Sequence, residues 1–273
     1  MEKEKYSVLM SVYYKEKPDW LKTSIQSILN QTMQTNDFVI VKDGPIGIEL
    51  ETVIDEYINN YPELFNIISL PKNVGLGMAL AEGIKHCKNS LIARMDSDDI
   101  CTIDRCAKEL ECFQKNKNLK IVGCFEAEFV GSINDVKAIH KVPETHKEIA
   151  AFMRRRCALL HPTVMFRKEA VLEIGNYRSV KLYEDYDLFA RLVFGGYESY
   201  NIQEVLYYIR INPEFYMRRG GVEYLKTVVK FKNYMRKKGY MSVLDFIISA
   251  GGQAAVCLMP NKLREWFYMT FLR

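Results

Sequence analysis

Over the first two hundred residues, short apolar runs alternate with stretches in which apolar residues recur every three or four positions. Ser7–Tyr13 predicts a strand, and Pro18 with Asp19 opens a helix that carries Leu21, Ile25, Ile28 and Leu29 on one face. Phe38–Val41 predicts a second strand ending at Asp43-Gly44-Pro45, followed by a helix over 48–60 and a strand near Phe65–Leu70. A helix with Leu76, Ala79, Leu80 and Ile84 on one side leads to the strand Leu91–Met95. Further on, Ile121–Val130 and His161–Phe166 predict strands, and Lys147–Arg155, Lys168–Ile174 and Asp185–Phe194 predict helices. The segments near 131–146 and 175–183 predict loops, with no readable code for an acceptor.

Strands that are apolar on both faces, separated by amphipathic helices, imply an α/β protein with a mostly parallel sheet covered on both sides. Such sheets bind ligands beyond the carboxyl ends of their strands, near a switch in strand order. Chemistry is therefore expected at the polar residues that follow the strands: Tyr13, Asp43, Asn73 and Asp96-Ser97-Asp98-Asp99.

Composition narrows the class. With 48% hydrophobic and 26% charged residues the chain is an ordinary folded one, not a disordered one. A net charge of +4 gives no ground for a nucleic-acid partner. Seven cysteines without a C-x-x-C pair, behind an N-terminus that lacks a signal-peptide pattern, read as reduced thiols in the cytoplasm. No stretch reaches the roughly 18–20 apolar residues of a membrane span. Past about residue 205 basic residues thicken: Lys226–Lys238 is a basic amphipathic helix, Val243–Met259 is apolar, and the tail is rich in aromatic residues. This extension fits either an interfacial segment drawn to anionic lipid or a helical subdomain packed on the sheet or across a dimer interface. Oligomeric state is open.

The acidic run Asp96-Ser97-Asp98-Asp99 carries the sharpest chemistry. Residues two apart in an extended segment project to one side, so Asp96 and Asp98 can face one ligand. Two close carboxylates repel, and Mn²⁺ or Mg²⁺, which prefers oxygen ligands and shares them with phosphates, relieves that repulsion. The alternative is that Asp99 or a neighbour caps a helix starting near Thr102. Glu184-Asp185 opens another helix, where acids complement the helix dipole or, held near a hydroxyl, serve as a general base. Asp43 reads as a turn former or as a base-binding carboxylate. Arg218-Arg219 reads as a diphosphate clamp or as a solvated basic turn. Lys72–Gly77 has neither a G-x-G-x-x-G nor a G-K-[ST] pattern, so neither a dinucleotide fold nor a P-loop is supported.

Taken in order, these motifs resemble the family 2 glycosyltransferases of GT-A fold. The likeness covers about residues 6–215: Ser7–Tyr14, Ser24–Thr32, Phe38–Gly44, Asn73–Leu76, Ala93–Asp99, His161-Pro162-Thr163 and Glu184–Leu188. It divides the chain into a transferase domain, 1–215, and a helical C-terminal extension, 216–273. Bacterial enzymes that build capsular, exopolysaccharide or O-antigen repeat units are the most similar in look. The resemblance implies that Ser11, Tyr13, Asp43, Asn73, Asp96, Arg218 and Arg219 bind the nucleotide, with a uridine donor favoured. It also implies that Asp98 binds the metal and Asp185 is the base. Arg94, His161 and Glu184 are candidate donor or acceptor contacts. The reaction implied is an inverting transfer of one sugar from a nucleotide-diphosphate donor to a hydroxyl, on a saccharide or a lipid-linked saccharide. Its expected setting is the cytoplasm, at the inner face of the plasma membrane where the acceptor is lipid-linked. Lys42 stands where many members carry another Asp, and Asn212 where many carry His. A sugar-phosphate nucleotidyltransferase is an alternative, although Tyr13-Tyr14-Lys15-Glu16 is not the Gly-rich loop it needs. A non-catalytic subunit of a synthase complex is another.

Overall fold

A computed structural model describes residues 4–211 and 221–260. The parallel half of the sheet is built from β1 (Tyr6–Val12), β2 (Phe38–Lys42), β3 (Phe65–Ser69) and β4 (Leu91–Asp96), with helices α1 (Pro18–Leu29), α2 (Ile48–Asn60) and α3 (Leu76–His86) between them. There follow β5 (Ile100–Cys101), α4 (Arg105–Lys115), β6 (Leu119–Val130), β7 (Ser132–His140) and α5 (His146–Phe152). The chain continues with β8 (Met165–Arg167), α6 (Lys168–Glu173), α7 (Glu184–Phe194) and β9 (Glu198–Arg210). Two C-terminal helices, α8 (Val222–Lys237) and α9 (Val243–Leu258), follow among the described residues.

The strand order is β3-β2-β1-β4-β8-β6-β9-β5, with β7 paired to β6. β3, β2, β1 and β4 are parallel neighbours, and β6 and β9 are parallel to each other. β8 is antiparallel to both β4 and β6, so it reverses direction twice and leaves six strands pointing the same way. The sheet is thus mixed but mostly parallel in sense, as the sequence implies. Strand order switches direction at β1, where β2 lies on one side and β4 on the other.

Alternation within the strands explains the two covered faces. Leu9, Val39, Val41 and Ile92 join one core with α3, α5, α6 and α7. Val8, Met10, Ile40 and Ala93 join another with α1, α2 and α4. Side chains two apart share a face, so one apolar run feeds both cores.

Three expectations need correction. The segment 131–146 is not all loop, because β7 occupies Ser132–His140. Its apolar Ile133, Val136 and Ile139 lack period two since register shifts break its pairing with β6 at Glu128/Phe129 and Phe129/Val130. His161–Thr163 is a 3₁₀ turn, with the strand starting only at Met165, because Pro162 cannot donate to a ladder. Lys147–Arg155 is helical only to Phe152.

The C-terminal helices settle onto the transferase core by one side. Phe231 and Met235 of α8 are buried there, and the Phe231 ring stacks on Tyr183 at 4.3 Å between centroids. Lys232, which the amphipathic pattern assigns to a basic face, is instead buried and donates from Nζ to the carbonyl of Arg155 at 2.6 Å. The expected boundary near residue 215 falls outside the described residues.

Candidate active site

A cleft of about 1150 Å³ opens at the carboxyl ends of β1, β2 and β4. Ser11, Tyr13, Asp43, Asn73, Asp96, Asp98, Glu184 and Asp185, eight of the residues expected from sequence, line it together. Arg218 and Arg219, and the departure at Asn212, lie outside the described residues.

The acidic loop is pinned from several sides. At the end of β4, the carbonyl of Asp96 accepts from Ser24 Oγ at 2.6 Å, and its N–H donates to the Tyr207 hydroxyl at 3.1 Å. Arg94 lies behind the cleft, 1% exposed, and its guanidinium ion-pairs with the Asp96 carboxylate. Carboxylate oxygens of Asp96, Asp98 and Asp99 lie within 4.8 Å of one another. The Arg210 side chain donates from Nε to the carbonyl of Asp98 at 2.9 Å, and its backbone N–H donates to Asp99 Oδ1 at 2.8 Å. Asp99 therefore does not cap a helix: α4 begins only at Arg105, and Asp99 is buried beneath the loop.

Crowding perturbs these acids. Burial, then the charges of Asp96 and Glu16, pushes the Asp98 carboxyl up to about 7. Burial, with Asp98 and Asp96 beside it, raises Asp99 well above the usual carboxylate range. Such repulsion favours either protonation or a cation. The donor set is all oxygen, and one buried oxygen, Asp99 Oδ2, has no partner among the described residues. A hard divalent cation such as Mn²⁺ or Mg²⁺ fits this set; a thiophilic one does not.

Sequence reasoning missed Glu16. Its carboxylate accepts a short hydrogen bond from Ser97 Oγ and lines the same cleft. Burial raises its pKa against that hydrogen bond. Only the return of the β1–α1 loop onto the acidic loop brings Glu16 there, so no local pattern marks it.

Asp43 does both turn and cleft work. Its carboxylate accepts the N–H groups of Val74 at 2.7 Å and Gly75 at 3.1 Å, and its carbonyl accepts from Asn73 Nδ2 at 3.2 Å. Gly44, at φ 85°, lies so close that an added Cβ would sit 2.5 Å from the Asn73 nitrogen. The loop after β2 and the start of α3 thus form one wall. Lys42 holds both oxygens of Glu51, at 3.0 and 2.9 Å, so its charge is matched by α2.

Glu184 and Asp185 face the cleft from the first turn of α7, preceded by Leu182 at φ 67°, an uncommon conformation for a side chain of this size. Burial, then Asp185, raises the Glu184 pKa. His161 does not line the cleft; its Nε2 meets the Tyr177 hydroxyl at 2.7 Å. Burial and the nearby Arg94 charge hold its pKa well below the usual value, so the ring is neutral. Neither His161 nor Arg94 is among the residues that line the cleft.

Residues 7–175 match the family model described as Glycosyl transferase family 2. The chain belongs to that family. A Haemophilus influenzae glycosyltransferase is 36% identical over 269 residues, 98% of this chain and 99% of that one. The Escherichia coli UDP-Gal:alpha-D-GlcNAc-diphosphoundecaprenol beta-1,3-galactosyltransferase is 34% identical over 269 residues, covering 98% and 97%. The fold of this glycosyltransferase matches the mannosyltransferase PcManGT of Pyrobaculum calidifontis in complex with GDP-Man and Mn²⁺. The TM-score is 0.65 at 12% identity, over 95% of this chain and 71% of the other. That neighbour shares the GT-A architecture of the glycosyltransferase.

Proposed function

We propose that this enzyme transfers a single sugar from a nucleoside-diphosphate donor to a hydroxyl of a lipid-linked saccharide, in the assembly of a bacterial surface polysaccharide. The observation that carries the reading is the placement of Asp96, Asp98 and Asp99 in one cleft with Asp185. Family membership supports glycosyl transfer, and the E. coli relative, which acts on a diphosphoundecaprenol-linked sugar, supports the acceptor class and a uridine donor.

On this reading Ser11, Tyr13 and Asp43 receive the nucleoside, and Asn73 braces that wall. Asp98, with Asp96 and Asp99, holds a divalent cation; Mn²⁺ or Mg²⁺ bound there supplies positive charge to the diphosphate. Asp185 takes the proton of the acceptor hydroxyl, and that oxygen forms the new bond to the anomeric carbon. The bond from that carbon to the diphosphate breaks, and its electron pair leaves with the nucleoside diphosphate. A single displacement of this kind inverts the anomeric centre. On this reading the enzyme works at the inner face of the membrane, where a lipid-linked acceptor would meet a nucleotide-sugar donor. Among the described residues no helix is long and apolar enough to cross one.

The test pairs binding with transfer. Thermal shifts with UDP, GDP and dTDP, with and without Mn²⁺, should show metal-dependent stabilisation by one nucleotide that Asp98→Ala abolishes. Asp185→Asn should keep that stabilisation and lose sugar transfer. Unchanged transfer in Asp185→Asn, beside an active wild type, would refute the assigned base.

A further inference from the structure

The outer face of α9 breaks the usual pattern of a surface helix. Leu244 is 62% exposed, Ile247 59% and Leu258 61%, and Gly251 and Ala255 lie exposed between them. Residues at 244, 247, 251, 255 and 258 recur at helical spacing, so they form one stripe about 21 Å long on this 16-residue helix. A helix docked by one side ordinarily carries polar residues on the other. In α9 the one charged side chain is Asp245, and it is turned inward.

That stripe borders the face of α9 that lines the cleft. Ile248 and Gly252 of α9 line the cavity that holds Asp185, and so do Arg155 and Arg156 from the turn after α5. Arg155 is fixed to α9 by a 2.7 Å bond from Nε to Asp245 Oδ1. Its carbonyl is held by the buried Lys232 ammonium. The cleft therefore runs from a carboxylate suited to a sugar hydroxyl, past two guanidinium groups, to an uncharged apolar ridge. Its chemistry passes from polar to cationic to apolar.

We propose that this end of the cleft is the site for a saccharide carried on a long-chain alkyl or prenyl diphosphate. Arg155 and Arg156 take the diphosphate, and the Leu244–Ile247–Leu258 stripe takes the first part of the hydrocarbon chain. The assignment rests on the lipid-linked acceptor proposed above. It adds which surface reads the lipid and which reads the charge. Guanidinium groups suit phosphate oxygens because they can offer paired donors, and each methylene laid on an apolar face contributes favourably to binding.

The experiment titrates undecyl diphosphate, and methyl diphosphate beside it, into full-length enzyme saturated with UDP and Mn²⁺, below the micelle concentration and without detergent. Wild type should bind the undecyl compound at least tenfold more tightly than the methyl one. The double variant Leu244→Asp/Ile247→Asp should erase that difference. Arg156→Ala should weaken both compounds tenfold or more and keep their ratio. UDP–Mn²⁺ thermal stabilisation, unchanged in all variants, shows that each is folded with an intact donor site. Equal affinities in wild type, a Leu244→Asp/Ile247→Asp variant that discriminates as wild type does, or an Arg156→Ala variant that binds both compounds as tightly as wild type does, would overturn the proposal and leave the transferase reading standing. So would a double variant that loses affinity for empty anionic vesicles, or dissociates from dimer to monomer, while keeping the chain-length preference. Absence of any nucleotide stabilisation in wild type would remove the transferase reading as well.

Discussion

Gly77 and Glu184 touch: a Cβ added to Gly77 would lie 2.8 Å from the Glu184 Cβ. The first turn of α7, which carries Asp185, therefore rests on the first turn of α3 through a position that admits no side chain. Gly77→Ala should push α7 away and displace Asp185. Alanine's helix propensity offsets about 1 kcal/mol of an overpacking cost of roughly 1–3 kcal/mol, so a modest stability loss accompanies the functional one. Misplacing the base by about 1 Å costs on the order of 100-fold in kcat. Nucleotide stabilisation, which does not need Asp185, should persist. Steady-state kinetics beside a thermal shift would check this.

Asp98 is raised to about 7 by burial and by Asp96 and Glu16. Its folded pKa lies above that of an ordinary Asp, so the metal-free fold is penalised as pH rises from about 4 toward 7, and remains so above. Asp98→Asn should consequently raise the Tm of the metal-free protein at pH 8, with little effect at pH 3.5, and lose Mn²⁺-dependent nucleotide stabilisation. In wild type that stabilisation should fade as pH drops below about 7, since protons and the cation compete. Scanning calorimetry across this range, with and without Mn²⁺, reads both.

Arg94 acts through Asp96 and does not reach the cleft. Arg94→Met removes a buried cation from beside a carboxylate cluster. Because Asp96 is partly exposed, the substitution should destabilise by about 1–2 kcal/mol, less than breaking a fully buried pair. It should lower kcat by roughly 100-fold through misplacement of Asp96. Arg94→Lys should recover part of the stability and little of the rate, because an ammonium cannot keep the guanidinium geometry. Urea denaturation and kinetics on the same preparations separate the two effects.

His140 of β7 bridges two carboxylates of β6, Glu126 Oε1 at 2.9 Å and Glu128 Oε1 at 3.1 Å. Burial lowers its pKa, but the bonds to these carboxylates outweigh it and raise the value to about 9. The folded value exceeds the unfolded one of about 6.5, so the stabilisation is complete below pH 6.5 and is lost as pH rises through 9. Over that window it amounts to roughly 3 kcal/mol. His140→Gln should be less stable than wild type at pH 6 and should lack this decline. Denaturant midpoints at pH 6, 8 and 10 would test it.

The parallel half of the sheet was legible because its signals are local. Leu9 and Val41 lie in unbroken apolar runs, Leu21 and Ile25 repeat at helical spacing, and Pro18 marks where α1 starts. β7 was not legible, because a bulged edge strand need not alternate. Of the cleft, the acids after strands could be read, since a parallel sheet collects its strand ends on one side. Glu16 could not, and neither could the pairing of Arg94 with Asp96 or of His161 with Tyr177. Those depend on how a loop folds back and on which way a strand-end side chain turns.

The sequence by itself determined the fold class, the end of the sheet where chemistry gathers, and the family, because periodicity and motif order are properties of the chain alone. Tertiary structure decided that Asp99 belongs with Asp96 and Asp98 and not to a helix cap, that Lys232 is buried, and that α9 shows its apolar side outward beside Arg155. Each of these depends on contacts between segments distant in sequence. A hydrophobic pattern fixes which residues share a helix face, but only packing decides which face is covered.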